Sequence, residues 1–144
     1  LLDTSFAMQP GFTRFTDTFR PIFRQNPILI PAVVFWELRN LSLHEQLSAQ
    51  ALSTMERIIH MYFKKQAEIR FEKCDDFQDQ VLLRVAFQHQ RRKNIAVLTN
   101  DCDLMRDLRQ IWNTRSIERR RTLEVLKLHG STNRICIFSD RNAV

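Results

Sequence analysis

Ile95-Ala96-Val97-Leu98 is a short apolar run that passes at once into the polar turn Thr99-Asn100-Asp101-Cys102-Asp103, and then into Leu104, Leu108 and Ile111 at helical spacing. The same order recurs earlier, where Pro27-Ile28-Leu29-Ile30 runs into Pro31, a proline suited to the first turn of a helix predicted from about Ala32. A strand apolar on consecutive residues is buried on both faces, and parallel neighbours of that kind need helical crossovers between them. The pattern predicts an α/β fold, a three-layer α/β/α arrangement around a central, mostly parallel sheet.

The remaining segments extend this reading. Leu1-Leu2 reads as the end of a strand, followed by the polar turn Asp3-Thr4-Ser5. The stretch 13–26, polar with spaced phenylalanines, receives no element. Leu47, Ala51, Met55, Ile58, Ile59 and Tyr62 recur at three- and four-residue steps and predict a long amphipathic helical region ending near Lys65. Ile69 and Phe71 alternate with Arg70 and Glu72 as a short strand. A helix from Asp79 carries Leu82, Val85 and Ala86 on one face, a further helix is predicted from about Ser116 to Leu128 and stopped by Gly130, and Arg134 to Phe138 forms a last strand. No linker-like or repetitive stretch divides the 144 residues, so one domain over 1–144 is expected.

The run from Ile28 to Trp36 falls short of the roughly 20 apolar residues that cross a bilayer, which excludes a membrane-spanning role. No secretory signal is read at the N-terminus, and Cys74, Cys102 and Cys136 fit neither a disulfide framework nor a paired-cysteine zinc site. They are expected as small buried side chains in a reducing compartment, the cytoplasm first, with the nucleus as the alternative.

Ligands of such sheets gather beyond the carboxyl ends of the strands, and acids stand there repeatedly. Asp3 follows the first strand, Glu37 lies in the second turn of the helix after the second, Asp79 starts the helix after the third, and Asp101 and Asp103 follow the fourth. Carboxylates brought together repel one another unless cations neutralise them, and all-oxygen donors suit Mg²⁺ or Mn²⁺. For Asp79, Asp101 and Asp103 taken singly, the competing role is a helix N-cap. Glu37 stands between Trp36 and Leu38 in a helix otherwise built for burial, where an acid needs a partner.

Leu1-Leu2-Asp3-Thr4-Ser5, Ile30-Pro31 with Glu37-Leu38, Asp79 followed by Val81-Leu82, and Leu98-Thr99-Asn100-Asp101-Cys102-Asp103-Leu104 together resemble the PIN domain, in order and over nearly the whole chain. By that resemblance Asp3, Glu37, Asp79 and Asp101 match the family's acidic metal-binding quartet, Asp103 matches an additional acid, and Ser5 and Thr99 match supporting hydroxyls. The resemblance implies an endoribonuclease dependent on Mg²⁺ or Mn²⁺, leaving 5′-phosphate and 3′-hydroxyl ends. It also implies RNA as substrate and an antitoxin-like inhibitory protein or a larger RNA-processing assembly as partner, while a homodimer stays open because a second copy could complete a basic groove. The long span from Glu37 to Asp79, the scarcity of glycine and an arginine-rich segment after Leu108 depart from the family pattern and leave the subfamily open.

On this reading Asp3, Asp79 and Asp101 hold one or two cations, Glu37 orients the attacking water and Asp103 assists. The net charge of +6 favours a polyanion. Arg91, Arg92, Lys93, Arg115, Arg119, Arg120 and Arg121 are the candidates for RNA contact, against the alternative of a solvated basic helix face. Trp36 and Trp112 could stack on bases, although each reads first as a core residue. His44, His60, His89 and His129 share no motif spacing, and no G-x-S-x-G surrounds Ser5 or Ser139. The alternative to a nuclease is a catalytically inactive PIN-like module that binds RNA or a protein partner. A receiver-like phosphoacceptor domain would want a lysine after the last strand, where Asp140-Arg141 stands instead.

Overall fold

Phe12, Phe15, Phe19 and Phe23 follow one another at three- and four-residue steps, and this is why the polar, phenylalanine-spaced stretch 13–26, for which no element is expected, is largely helical. The computed structural model of the chain describes residues 1–71, 78–89, 95–114, 123–129 and 134–137, with backbone alone for 78–80, 87–89, 111–114, 123, 129 and 135–137. After the short helix α1 (Thr4–Ala7), helices α2 (Phe12–Thr18) and α3 (Arg20–Gln25) are separated by Phe19, with Pro21 in the first turn of α3. The Phe15 ring lies 5.0 Å from that of Phe6, 5.1 Å from Phe19 and 5.7 Å from Phe23, so the spaced phenylalanines pack as one cluster.

Strand β1 (Ile28–Pro31) leads directly into α4 (Ala32–Ser42), and α5 (Ser48–Phe63) packs against α4. Val34 and Leu38 of α4 are fully buried, as are Ala51, Ile58 and Met61 of α5 to within 1%, the spacing of a helix with one core-facing stripe. Each such large aliphatic side chain contributes about 1.5–3 kcal/mol by leaving water. Polar bonds fix α5 on the N-terminal helices: Thr54 Oγ1 donates to Ala7 O at 3.3 Å and Arg57 Nε to Thr16 Oγ1 at 2.9 Å. The helix ends with Lys65 in the left-handed region at φ 59°, Gln66 N donating to Met61 O at 2.8 Å and Lys65 N to Tyr62 O at 3.0 Å. This double bond pattern turns the chain into β2 (Ala67–Arg70), a little earlier than the strand read around Ile69 and Phe71.

Parallel pairing registers Ile28 with Ala67 and Pro31 with Arg70. On the other side of β1, Leu2 N donates to Leu29 O at 3.0 Å, while Leu2 also forms a parallel bridge with Leu98 of β3 (Ile95–Leu98). β3 pairs in parallel with β4 (Leu123–His129), which pairs antiparallel with β5 (Arg134–Ile137). Segment 1–3 therefore joins the two sheets in the order β2, β1, segment 1–3, β3, β4, β5. The chain steps outward through β1 and β2 on one side and resumes with β3 on the other, so the strand order reverses at segment 1–3, where open α/β sheets bind ligands.

The segment from Leu123 to His129 is a correction to the helix predicted over 116–128. Its Leu, Val and Leu residues suit both periods, and long-range pairing decides between them, because this strand has partners on both edges. The rest of that prediction lies outside the described residues. Val97 belongs to a cluster with Leu82, Ala86, Leu104 and Leu108, whereas Leu98 belongs to the cluster of Leu2, Phe6, Ile30 and Leu128. Successive residues point to opposite faces, so both faces of β3 are covered, one by helices α6 (Gln78–His89) and α7 (Cys102–Thr114). The fold is mixed α/β with short, mostly parallel strands. Among the described residues, no helix is long and apolar enough to cross a membrane. Cys102 is exposed, against the expectation of burial, while Cys74 and the side chain of Cys136 lie outside the described residues.

Candidate functional site

Segment 1–3 and β3 end side by side, and the residues just beyond their ends converge. Asp3 N donates to Leu98 O at 2.9 Å, which sets Asp3 level with Thr99. The Asp3 side chain is 3% exposed and Thr99 is fully buried. Thr99 Oγ1 donates to Asp3 Oδ2 at 2.7 Å, and Ser5 Oγ, in the first turn of α1, donates to the same carboxylate oxygen. Each hydroxyl carries one proton. With both protons directed at Asp3, the 3.1 Å approach of Ser5 Oγ to Thr99 Oγ1 is a contact between two oxygens gathered by a shared acceptor. A buried carboxylate needs such donors to remain charged at tolerable cost.

The hydroxyls are themselves fixed from behind. Asn100 N donates to Ser5 Oγ at 2.9 Å, and Asp101 N to Thr99 Oγ1 at 3.0 Å. Two further bonds pin the turn to β4, with Asn100 Nδ2 donating to Leu128 O at 2.8 Å and Leu128 N to Asn100 Oδ1 at 3.0 Å. Together with Thr99 N donating to Leu126 O at 3.0 Å, the side-chain amide of Asn100 continues the β3–β4 ladder beyond the end of the strand. Sequence reading gave Asn100 no role. Its signal is an amide that both donates and accepts, placed where a main-chain pair would fall next.

Asp101 fills two positions at once. Its Oδ1 accepts from Asp103 N at 2.9 Å and Leu104 N at 3.1 Å, the N-cap of α7. Among the described residues its Oδ2 accepts no hydrogen bond. Asp103, by contrast, is 82% exposed at its side chain and stands 3.4 Å from Arg106, one turn along α7. Glu37 is half-buried in the second turn of α4, next to Leu38 in the core.

Asp79 lies in the first turn of α6, and its side chain is outside the described residues. A cavity of about 580 Å³ is lined by Val85 and Ala86 of α6 together with Ile95, Ala96 and Leu98 of β3. Its lining includes Phe15, Phe19, Phe23 and other apolar groups, but neither Asp3 nor Asp101.

The donors gathered at Asp3 and Asp101 are all oxygens, in kind those of a hard divalent cation. Among the described residues, no three His, Cys, Asp or Glu side chains form a group that could hold a metal ion. Arg91, Arg92, Lys93, Arg115, Arg119, Arg120 and Arg121 lie outside the described residues, as does the side chain of Trp112. Trp36, expected in the core, is 57% exposed, because it stands on the side of α4 opposite Val34 and Leu38. Arg39 covers it, with Cζ 5.6 Å from the ring centroid. No family model, curated protein or solved structure matches the chain.

Proposed function

We propose that the chain is a divalent-metal-dependent endoribonuclease of the PIN kind, built as three α/β/α layers around a mostly parallel sheet. The observation that supports it most is the buried Asp3 carboxylate at the reversal of strand order, held by Ser5 and Thr99, with the cap residue Asp101 on the adjoining turn. Those residues are the acids and hydroxyls that the PIN-like sequence pattern carries.

A bound Mg²⁺ or Mn²⁺ supplies charge neutralisation for the phosphodiester and a lowered pKa for water. Asp3, Asp79 and Asp101 would hold the ion. Ser5 and Thr99 keep the Asp3 carboxylate from rotating, so its position is set before substrate arrives. Glu37 orients the attacking water, whose proton passes to solvent, and Asp103 assists from the exposed side. The water oxygen bonds to phosphorus as the bond from phosphorus to the 3′ oxygen breaks, and that oxygen takes a proton from solvent. The ends are a 5′-phosphate and a 3′-hydroxyl.

The test follows end-labelled single-stranded RNA with Mn²⁺ or Mg²⁺, beside an EDTA control and the Asp101→Asn variant. Cutting that needs the cation, is lost in the variant and leaves 5′-phosphates is the expected result. Folded protein that binds RNA without cutting it would replace this reading with the inactive RNA-binding module. Ends carrying 2′,3′-cyclic phosphate would rule out the mechanism.

A further inference from the structure

We infer that Trp36, with Arg39 over its ring, is a stacking platform for an unpaired RNA base on the helix that carries Glu37, an inference that rests on the nuclease reading for its ligand. Trp36 is 57% exposed although its helix neighbours Val34 and Leu38 are completely buried, so this ring contributes little to the core. Its Cα is about 6 Å along the axis from Ala32, by the 1.5 Å rise per residue, and Ala32 directly follows the carboxyl end of β1. Glu37 is the next residue on the same helix. Phe71, 83% exposed, follows Arg70, the register partner of Pro31, so a second ring leaves the sheet at the strand end from which α4 starts.

The charge around the indole selects the occupant. Arg39 Cζ stands 5.6 Å from the Trp36 centroid, so a permanent cation lies at the exposed indole and adds attraction for the phosphates of a strand whose base stacks there. The chain carries a net +6, and a polyanion is the partner that such a cation and ring bind together. A base paired within a duplex has both faces covered and cannot reach the indole, so the platform distinguishes single-stranded from double-stranded RNA.

Binding of a fluorescently labelled single-stranded oligoribonucleotide is measured by anisotropy in EDTA, which prevents cutting, for wild type, Trp36→Ala, Trp36→Phe and Arg39→Ala. Circular dichroism first establishes that each variant is folded. Trp36→Ala should weaken binding about 5- to 150-fold, the range for loss of one base–aromatic stack, and Trp36→Phe should keep most of the affinity. Arg39→Ala should lower the slope of log affinity against log salt by about 0.7, one single-strand phosphate contact. The same sequence as a duplex should bind wild type and Trp36→Ala alike. Unchanged single-strand binding by Trp36→Ala overturns the platform, as does a loss equal for single strand and duplex. It is also overturned if Trp36→Ala leaves RNA binding intact and instead dissolves an oligomer seen by light scattering, which makes the ring a protein contact. Cleavage by wild type is scored separately, so a platform that binds without cutting defeats only the nuclease, and cutting indifferent to Trp36 defeats only the platform.

Discussion

Thr99 Oγ1 and Asp3 Oδ2 are 2.7 Å apart although 96 residues separate them in sequence, and Thr99 also accepts the backbone proton of Asp101 at 3.0 Å. One hydroxyl thus links two candidate acids through different atoms, its proton to one and its lone pair to the backbone of the other.

Thr99→Val keeps the shape and removes both bonds. The buried Asp3 loses a donor and Asp101 N an acceptor, so unfolding in urea should show a loss of about 1–3 kcal/mol. Initial cleavage rates should fall about 10- to 100-fold, as for lost outer partners of a metal ligand. Thr99→Ser should restore most of both, and a Val variant as stable and active as wild type would mean that the hydroxyl contributes nothing.

Substitutions at Asp101 should separate a folding role from the proposed catalytic one. Asp101→Ala should cost about 1 kcal/mol, since two N–H groups of α7 lose their cap, whereas Asp101→Asn keeps a good cap and should unfold within a few tenths of a kcal/mol of wild type. Both should lose metal-dependent cleavage. Addition of Mn²⁺ should raise the melting temperature of wild type and leave that of Asp101→Asn unmoved, because only an ion bound to the folded state stabilises it. Activity retained by Asp101→Asn would confine the residue to capping.

Acid should weaken the attachment of α2 to α5. Hydrogen bonding from Arg57 and then from Arg20 holds the Asp17 carboxyl below its ordinary value of 3.8, with partial desolvation opposing them. A carboxyl whose folded pKa is depressed adds stability above the unfolded value and loses it as pH falls through the folded one. Asp17→Asn should therefore flatten stability below about pH 4, where the unfolded group begins to protonate. The side chain is 45% exposed, so the effect should stay under about 1 kcal/mol and shrink in high salt.

Lys65→Gly should stabilise the protein. Lys65 adopts φ 59° to close α5, a conformation that opposes a Cβ by about 1–2 kcal/mol, partly offset by glycine's greater freedom when unfolded. A net gain of about 0.5–1 kcal/mol in urea unfolding is expected, while a loss would show that the Lys65 side chain makes a compensating contact.

How much of this was legible beforehand differs from residue to residue. The strand ends at Leu2 and Leu98 were marked by apolar runs meeting polar turns, so the neighbourhood of Asp3 and Thr99 could be read from order alone. The helix of spaced phenylalanines was missed because polar residues between them hid a plain three-and-four spacing. Leu123 to His129 became a strand through partners that local sequence does not name. Trp36 was misplaced for a related reason: an apolar side chain announces burial by type, and only the angular position relative to Val34 and Leu38 reveals that it faces outward. Asn100 could not be assigned at all, because its bonds depend on Leu128 arriving alongside.

That last pairing makes Leu128 an internal gauge. Its amide proton is held by a side chain belonging to the turn that also carries Thr99 and Asp101, instead of by another strand's backbone. The rate at which that proton is traded for deuterium therefore measures how often the turn lets go of β4. One amide far along the chain gives a clock for the opening and closing of the acidic corner.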